Sequence, residues 1–246
     1  MMKAVILAAG AATRLRPITD TIPKCLLPVG GRSLLQRTID ALCAYDINDI
    51  IIVVGYQAQS VISFCNNTYP KKALTCVENP IYDTTNNAYS LLLIQQYVLD
   101  DEVILLDGDI LFDPRLIWHL LSSQRQNILL LRPSHLLGAE EIKVLTDTGN
   151  RILRISKDID SSRASGESIG IERFSKQAVR KLFKILQRRI HQEQRVDEWY
   201  EASFQELIDS GEEIFALDTA GLACIEIDTA ADIETAERDV LPLLGV

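Results

Sequence analysis

The stretch "LAAGAATRLRPITDTIPKCLLPVGG", residues 7–31, decides the fold, because an apolar strand ends inside it and an open, basic loop begins. The run KAVILAA before Gly10 is short, apolar and partly β-branched, which predicts a buried strand. The small residues that follow let backbone N–H groups approach a ligand closely. Arg14 and Lys24 then add positive charge, so the loop suits a small anion.

Strand and helix patterns alternate after this loop. Buried strands are predicted over 49–56, 73–79 and 102–112, and amphipathic helices over 33–45 and 87–99. Ser33 is the expected N-cap of the first helix, and Asp113 with Pro114 is expected to open another. This βαβα order predicts a mostly parallel sheet that is covered by helices on both faces.

The pattern changes after about residue 127. Short strands are predicted over 127–133, 141–147, 150–156 and 167–174, helices over about 175–194 and 200–210, and a strand over 223–228. The last helix should open at Thr229, with Asp232 as its capping-box partner. We therefore predict one α/β domain over residues 1–246, a mostly parallel mixed sheet with a small β-rich lobe.

Composition limits the possible partners. The net charge of −9 argues against nucleic acid or an anionic membrane as the main partner. The first 40 residues nevertheless carry six Lys or Arg against two Asp. The five cysteines are scattered without a CxxC pair, as expected for reduced thiols in a cytoplasmic protein. No apolar run approaches the ~20 residues that span a bilayer.

Acidic residues end two of the predicted strands. Asp107 and Asp109 are two residues apart in an extended segment, so their side chains are expected on one side, and Asp228 ends the strand at 223–228. Ligands of doubly wound sheets bind beyond these strand ends. Cations from one loop and carboxylates from two others suit a phosphate ester with Mg²⁺. Singly, each acid could be a solvated strand end or a helix-start residue.

The basic loop resembles the signature of nucleotidyltransferases that join an NTP to a sugar phosphate or phospho-alcohol. That signature runs L-A-A-G-x-G-[ST]-R-[LM], followed by P-K and a second small-residue turn. The matching residues are Leu7, Ala8, Ala9, Gly10, Thr13, Arg14, Leu15, Pro23 and Lys24. Ala12 departs from the usual Gly, and a methyl group is acceptable there if the residue keeps φ below zero.

The resemblance implies a GT-A-like, Rossmann-like nucleotide-binding fold. It implies that residues 1–126 form the nucleotide-binding part and residues 127–246 the acceptor-binding part. It places Arg14 and Lys24 on the triphosphate, and Asp109 and Asp228 on Mg²⁺. The implied nucleotide-binding residues are Leu7, Ala8, Ala9, Gly10, Ala12, Thr13, Arg14, Lys24, Asn86 and Asp107.

Four shorter segments resemble the branch that contains phosphocholine cytidylyltransferases: ENPIYDTTNNAYSL (78–91), EEIKV (140–144), ISKDI (155–159) and EWYEASFQELI (198–208). The implied acceptor-binding residues are Asn87, Lys143, Lys157, Trp199, Tyr200 and Glu201. Lys157 is implied to meet the acceptor phosphate and so joins Arg14, Lys24 and Asp109 as a catalytic residue. Asn86 and Asn87 could equally cap the helix at 87–99.

The expected reaction joins an NTP, with CTP favoured, to a phosphocholine-like amino-alcohol phosphate or phosphonate and releases pyrophosphate. One alternative is a sugar-1-phosphate nucleotidyltransferase that uses UTP, dTTP, CTP or GTP, and another is a non-catalytic nucleotide or sugar-phosphate sensor. A dinucleotide-dependent oxidoreductase is disfavoured, because the G-x-G-x-x-G pattern is absent after Gly10. The oligomeric state stays open.

Overall fold

The apolar run at the start of the chain forms an interior strand of a nine-stranded sheet in the computed structural model, which describes residues 1–134 and 137–244. The strands, in chain order, are β1 (Met2–Ala8), β2 (Pro28–Val29), β3 (Arg32–Ser33), β4 (Ile50–Val54), β5 (Leu74–Glu78), β6 (Glu102–Asp107), β7 (Ile110–Phe112), β8 (Ile128–Arg132), β9 (Lys143–Thr146), β10 (Ile152–Ser156), β11 (Gly166–Phe174), β12 (Phe215–Asp218) and β13 (Cys224–Glu226).

Eight α-helices of the described residues join these strands. They are α1 (Leu34–Ala44), α2 (Ala58–Thr68), α3 (Asn87–Leu93), α4 (Gln95–Val98), α5 (Arg115–Ser122), α6 (Lys176–Gln187), α7 (Glu201–Asp209) and α8 (Ala230–Thr235). Ser33 caps α1, since its Oγ accepts a hydrogen bond from the Gln36 backbone N–H at 3.1 Å. None of the helices in the described part of the chain has the length and apolar character needed to cross a membrane.

The sheet is parallel through its first half and mixed beyond it. Strands β5, β4, β1 and β6 are parallel neighbours, and β11 then pairs antiparallel with β6. Strand β8 pairs antiparallel with β11, β12 follows β8, and β9 with β10 extends from the first residues of β11. The predicted β-rich lobe therefore continues the central sheet.

Alternate residues of β1 supply two separate cores. Val5 and Leu7 pack into a cluster that includes residues of α3, α6 and α7. Ala4 and Ile6 pack on the opposite face with residues of α1, α2 and α5. This division follows from the two-residue period of a strand that is covered on both faces.

A third, smaller cluster lies beside the sheet and holds the basic loop. It joins Leu15 and Leu27 of the loop region to Leu111 of β7 and to Ile227, which follows β13. All four side chains are at most 2% exposed. Apolar packing therefore brings together the segments that also carry the charged residues Arg14, Lys24 and Asp228.

The α/β fold predicted from the sequence is confirmed, with local differences from the prediction. The expected strand over 102–112 is interrupted, because β6 ends at Asp107 and β7 pairs with β13 in a separate sheet. Helix α2 and strand β12 were not predicted. Helix α5 begins at Arg115, and the carboxylate of Asp113 accepts its backbone N–H at 2.9 Å.

Candidate active site

A cleft of about 720 Å³ opens at the carboxyl ends of β1 and β6. Its walls come from the basic loop, the turn after β6, part of β11, the start of α7 and the end of β13. Every residue predicted for the site lines this cleft except Lys143 and Tyr200. The sequence-based prediction therefore identified one continuous surface, although its members are spread over more than 200 positions.

Close backbone contacts shape the floor of the cleft around the end of β1. A Cβ atom on Gly55 would lie 2.7 Å from the Ala9 carbonyl oxygen, and one on Gly108 would lie 2.7 Å from the Leu7 carbonyl oxygen. Real Cβ atoms do not approach backbone oxygens this closely, so both positions require glycine. The neighbouring loops therefore lie directly against the residues from Leu7 to Gly10.

Ala12 adopts a conformation that its sequence context did not predict. Its φ of 46° lies in the left-handed region, whereas a negative φ was the expected condition for accepting alanine here. Two hydrogen bonds to its carbonyl oxygen hold the turn, from the Leu15 backbone N–H and the Thr19 hydroxyl, both at 3.0 Å. The loop keeps a glycine-like geometry at the cost of strain on Ala12.

Two cations and two carboxylates form a compact charge cluster at one end of the cleft. Lys24 Nζ donates to Asp109 Oδ2 at 2.7 Å and to Asp228 Oδ1 at 2.6 Å. Arg14 donates to Asp228 Oδ2 at 2.7 Å. Burial acts to lower the pKa of Lys24, but the two carboxylates outweigh burial and raise it. Lys24 therefore remains charged at neutral pH and is unsuited to act as a general base.

Glu226 is a third acid of this cluster that the sequence interpretation missed. One carboxylate oxygen from each of Asp109, Glu226 and Asp228 lies within 4.8 Å of the others. Asp109 Oδ1 is buried and has no hydrogen-bond partner among the described residues. Three hard oxygen ligands at this spacing fit a divalent cation such as Mg²⁺. The signal was present, since Glu226 is two residues before Asp228 in an extended segment.

Burial and the neighbouring carboxylates favour the protonated form of Glu226. Partial burial in the cleft wall and the charges of Asp109 and Asp228 raise its pKa to about 7, although Lys24 and Arg14 act in the opposite direction. A cation bound among the three carboxylates would remove this repulsion.

The predicted capping box at the start of α8 holds Asp228 in place. Thr229 Oγ1 accepts from the Asp232 backbone N–H at 3.3 Å, and Asp232 Oδ2 accepts from the Thr229 backbone N–H at 2.6 Å. The same Asp232 oxygen also accepts from the Asp228 backbone N–H at 3.0 Å. The helix start is therefore confirmed, and it orients an acid of the charge cluster.

The other end of the cleft has an ammonium, an aromatic ring and a buried carboxylate. Lys157 Nζ lies 4.0 Å from the ring centroid of Trp199 and donates to Glu140 Oε2 at 3.2 Å. Trp199 is 47% exposed, whereas Glu201 is only 7% exposed. Glu201 Oε2 has no hydrogen-bond partner among the described residues.

Asn86 and Asn87 lie at the start of α3 and line the cleft. Asn86 Oδ1 caps α3 by accepting from the Asn87 backbone N–H at 2.8 Å. Asn87 Oδ1 accepts from the Tyr200 backbone N–H at 2.8 Å. Both residues also line the cleft, so the start of α3 fixes the segment that carries Trp199 and Glu201.

Tyr200 and Lys143 were predicted to contact the acceptor, but both side chains are buried. Tyr200 is 0% exposed, and its hydroxyl donates to Asp107 Oδ2 at 2.8 Å instead of facing the cleft. Lys143 is 2% exposed, and its Nζ donates to the Lys157 backbone carbonyl at 2.8 Å. Both side chains support residues that line the cleft, because packing turns them inward.

Asp107 lines the cleft and belongs to a group of acidic residues that is largely buried. Burial, and then repulsion from neighbouring acids including Glu172 and Glu201, raises its pKa well above the usual value. Burial likewise raises the pKa of Glu172, and it raises the pKa of Glu201 to about 7. Asp107, predicted as a nucleotide contact, lines the cleft, and its Oδ2 accepts a hydrogen bond from the Tyr200 hydroxyl.

With this geometry established, similarity to known proteins identifies the family. The family model of the MobA-like NTP transferase domain matches residues 4–148. The chain belongs to this family.

Two relatives of this chain are named for an aminopropylphosphonate and for choline phosphate. CMP-5'-(3-aminopropyl)phosphonate synthase of Streptomyces rubellomurinus is 33% identical over 152 residues, which are 59% of this chain and 24% of that protein. Choline-phosphate cytidylyltransferase of Streptococcus pneumoniae is 41% identical over 103 residues, 42% of this chain and 43% of that protein. The matched part of this chain thus spans less than half the length of either relative.

A solved structure extends the similarity over nearly the whole MobA-like chain. The CTP:phosphocholine cytidylyltransferase from Streptococcus pneumoniae superposes with a TM-score of 0.78 at 25% identity. The superposition covers 96% of this chain and 97% of that chain.

The strain at Ala12 of this NTP transferase domain predicts that Ala12→Gly stabilises the fold. Glycine removes a left-handed penalty of roughly 1 kcal/mol, partly offset by the greater freedom of the unfolded chain. We expect a gain of about 0.5 kcal/mol in the free energy of urea unfolding. Ala11→Gly, at a position outside the left-handed region, should give no gain. A loss of stability with Ala12→Gly would contradict the assigned strain.

The buried carboxyl group of Glu201 predicts a pH-dependent effect of Glu201→Gln on stability. The folded protein holds this proton up to about pH 7, above the usual value of 4.5, so ionisation opposes folding as pH rises. The variant should therefore unfold like the native protein at pH 4.5 and be more stable at pH 8, by at most about 3 kcal/mol. Urea unfolding at both pH values measures this difference. An equal difference at both would contradict it.

Proposed function

We propose that the protein transfers a nucleotidyl group from an NTP, with CTP favoured, to a phosphorylated amino-alcohol or an aminoalkylphosphonate and releases pyrophosphate. The observation that carries the proposal is the charge pattern along one cleft. The cluster of Lys24, Arg14 and Asp228 occupies one end, and Lys157 with Glu201 occupies the other. An anion with a metal suits the first end, and a zwitterion suits the second.

At the first end, the NTP would lie along the basic loop with its phosphates beside Arg14 and Lys24. The loop backbone from Leu7 to Gly10 would contact the base, in keeping with the nucleotidyltransferase signature. Lys24 remains charged, so it would stabilise negative charge on the α-phosphate during transfer. A phosphate dianion is already nucleophilic, so an in-line attack on the α-phosphorus requires positioning more than a general base.

Asp109, Glu226 and Asp228 would hold Mg²⁺. The metal would neutralise phosphate charge and orient the triphosphate. Lys24 and Arg14 now compensate these carboxylates, and they could turn to phosphate oxygens once the acids have another partner. Each charged side chain would then keep a partner of opposite charge when the metal and the triphosphate bind.

At the second end, Lys157 would bind the acceptor phosphate and Glu201 its ammonium. The two side chains are close enough for the Lys157 charge to act on the Glu201 carboxyl. Their proximity suits an acceptor with a short spacer between phosphate and nitrogen. The relatives named for phosphocholine and aminopropylphosphonate compounds support this choice. A sugar 1-phosphate lacks the ammonium and would bring no positive charge to Glu201.

A pyrophosphate-release screen tests the proposal. CTP, UTP, dTTP and GTP are each combined with phosphocholine, phosphoethanolamine, aminoethylphosphonate and sugar 1-phosphates, with and without Mg²⁺. We expect the fastest turnover with CTP, an amino-alcohol phosphate or phosphonate, and Mg²⁺. A clear preference for sugar 1-phosphates would contradict the acceptor assignment. Nucleotide binding without any turnover would favour the non-catalytic sensor.

The metal assignment predicts that Asp109→Asn reduces turnover at least roughly 100-fold, because an amide cannot supply the anionic ligand that Mg²⁺ prefers. Initial rates at saturating Mg²⁺ measure the loss, and circular dichroism checks the fold. Asp20→Asn is the matched control, since Asp20 is half exposed and lies on the same loop outside the cleft. Near-normal turnover in the Asp109 variant would remove this residue from the metal site.

The role assigned to Lys24 predicts that Lys24→Ala lowers kcat more than it raises KM for the nucleotide. Its charge should matter most in the transition state, as negative charge shifts on the α-phosphate. Steady-state kinetics with varied NTP separate the two parameters. Arg16→Ala removes an equal charge from an exposed position outside the cleft and should leave both unchanged. A pure rise in KM would make Lys24 a ground-state anchor instead.

A further inference from the structure

Glu201, the first residue of α7, lines the cleft and carries a buried carboxylate oxygen without a hydrogen-bond partner among the described residues. The residue is 7% exposed, and the oxygen in question is Oε2. Buried polar atoms are normally hydrogen-bonded, and an unpaired one destabilises the fold. A ligand with an N–H or O–H donor would supply the missing partner.

The surroundings of Glu201 favour a cationic donor over a neutral one. Asp107 and Glu172 are acidic neighbours in the same buried group, where burial and repulsion from neighbouring acids raise the pKa of both carboxyl groups. Lys157 is the nearby cation, but its Nζ donates to Glu140 and lies over the ring of Trp199. An additional positive charge would therefore be stabilised at Glu201.

We propose that this end of the cleft selects acceptors with a primary ammonium over those with a quaternary ammonium. The inference rests on the proposed function, in which the acceptor is a phosphorylated amino-alcohol or its phosphonate. A primary ammonium offers three N–H donors, one of which can pair with Glu201 Oε2. A trimethylammonium group has no donor, so it would leave this buried oxygen unpaired.

The aromatic residues of the cleft agree with this selectivity. Proteins that bind quaternary ammonium groups surround them with several aromatic faces. Among the described residues that line the cleft, the aromatic ones are Tyr82 and Trp199. Tyr82 packs near Gly55 beside the basic loop, and the ring of Trp199 is covered by Lys157. The Glu201 end therefore has one aromatic ring and no cage.

A methylation series of acceptors tests the inference on the full chain. Pyrophosphate release is measured with Mg²⁺, the NTP that turns over fastest, and phosphoethanolamine carrying zero, one, two or three N-methyl groups. We expect kcat/KM to fall along the series, by roughly 10- to 100-fold between the unmethylated and trimethylated compounds. The fall should appear mainly in KM for the acceptor, since the contact is distant from the reacting phosphorus.

Glu201→Gln should remove most of the selectivity by lowering kcat/KM for phosphoethanolamine and changing phosphocholine much less. Glu198→Gln is the matched control, because it removes the same charge from a residue that pairs with Arg189 and does not line the cleft. It should keep the selectivity ratio of the native chain. An equal loss on all four acceptors with Glu201→Gln would assign Glu201 a purely structural role and overturn the inference.

The outcomes separate this inference from the proposed function. A kcat/KM for phosphocholine equal to or above that for phosphoethanolamine would overturn the selectivity and leave the amino-alcohol acceptor standing. Turnover with sugar 1-phosphates but with none of the four acceptors of the methylation series would overturn both.

Discussion

Lys24 is a largely buried cation, and the geometry of the site depends on the carboxylates that compensate its charge. Its two carboxylate partners, Asp109 and Asp228, are 85 and 204 residues away along the chain. Burial removes hydration from the ammonium group, and only short, well-oriented ion pairs restore that loss. The basic loop, the turn after β6 and the segment after β13 must therefore meet at one point. Arg14 adds a second cation to Asp228 at the same place.

The apolar cluster beside the sheet supplies the rigidity that this charge arrangement needs. Leu15 follows Arg14, and Leu27 lies one turn after Lys24, while Ile227 precedes Asp228. Each charged residue is thus next to, or within a turn of, a side chain that is almost completely buried. Apolar burial has no directional preference of its own, so the hydrogen bonds and ion pairs select the final geometry. Packing brings the segments together, and electrostatics aligns them.

The sequence predicts those parts of the site that depend on local pattern. Strand ends, helix caps such as Ser33 and the signature loop follow from the chain itself, and the structure confirms the fold that they imply. The failures concern the direction of side chains. Tyr200 and Lys143 face inward because tertiary partners, Asp107 and a backbone carbonyl, lie there. The positive φ of Ala12 depends likewise on hydrogen bonds from Leu15 and Thr19. No local sequence pattern encodes such contacts.

The two ends of the cleft differ in how their acidic groups are compensated. In the cluster at the basic loop, Asp109 and Asp228 are paired with cations that the chain provides, although both still repel the neighbouring Glu226. At the acceptor end, Glu201 is buried without such a partner, and burial raises its pKa to about 7. A protein selected for stability alone would replace this carboxyl group. Its presence is accounted for if a ligand supplies the missing charge, because the binding free energy then includes the relief of a strain that the free protein carries.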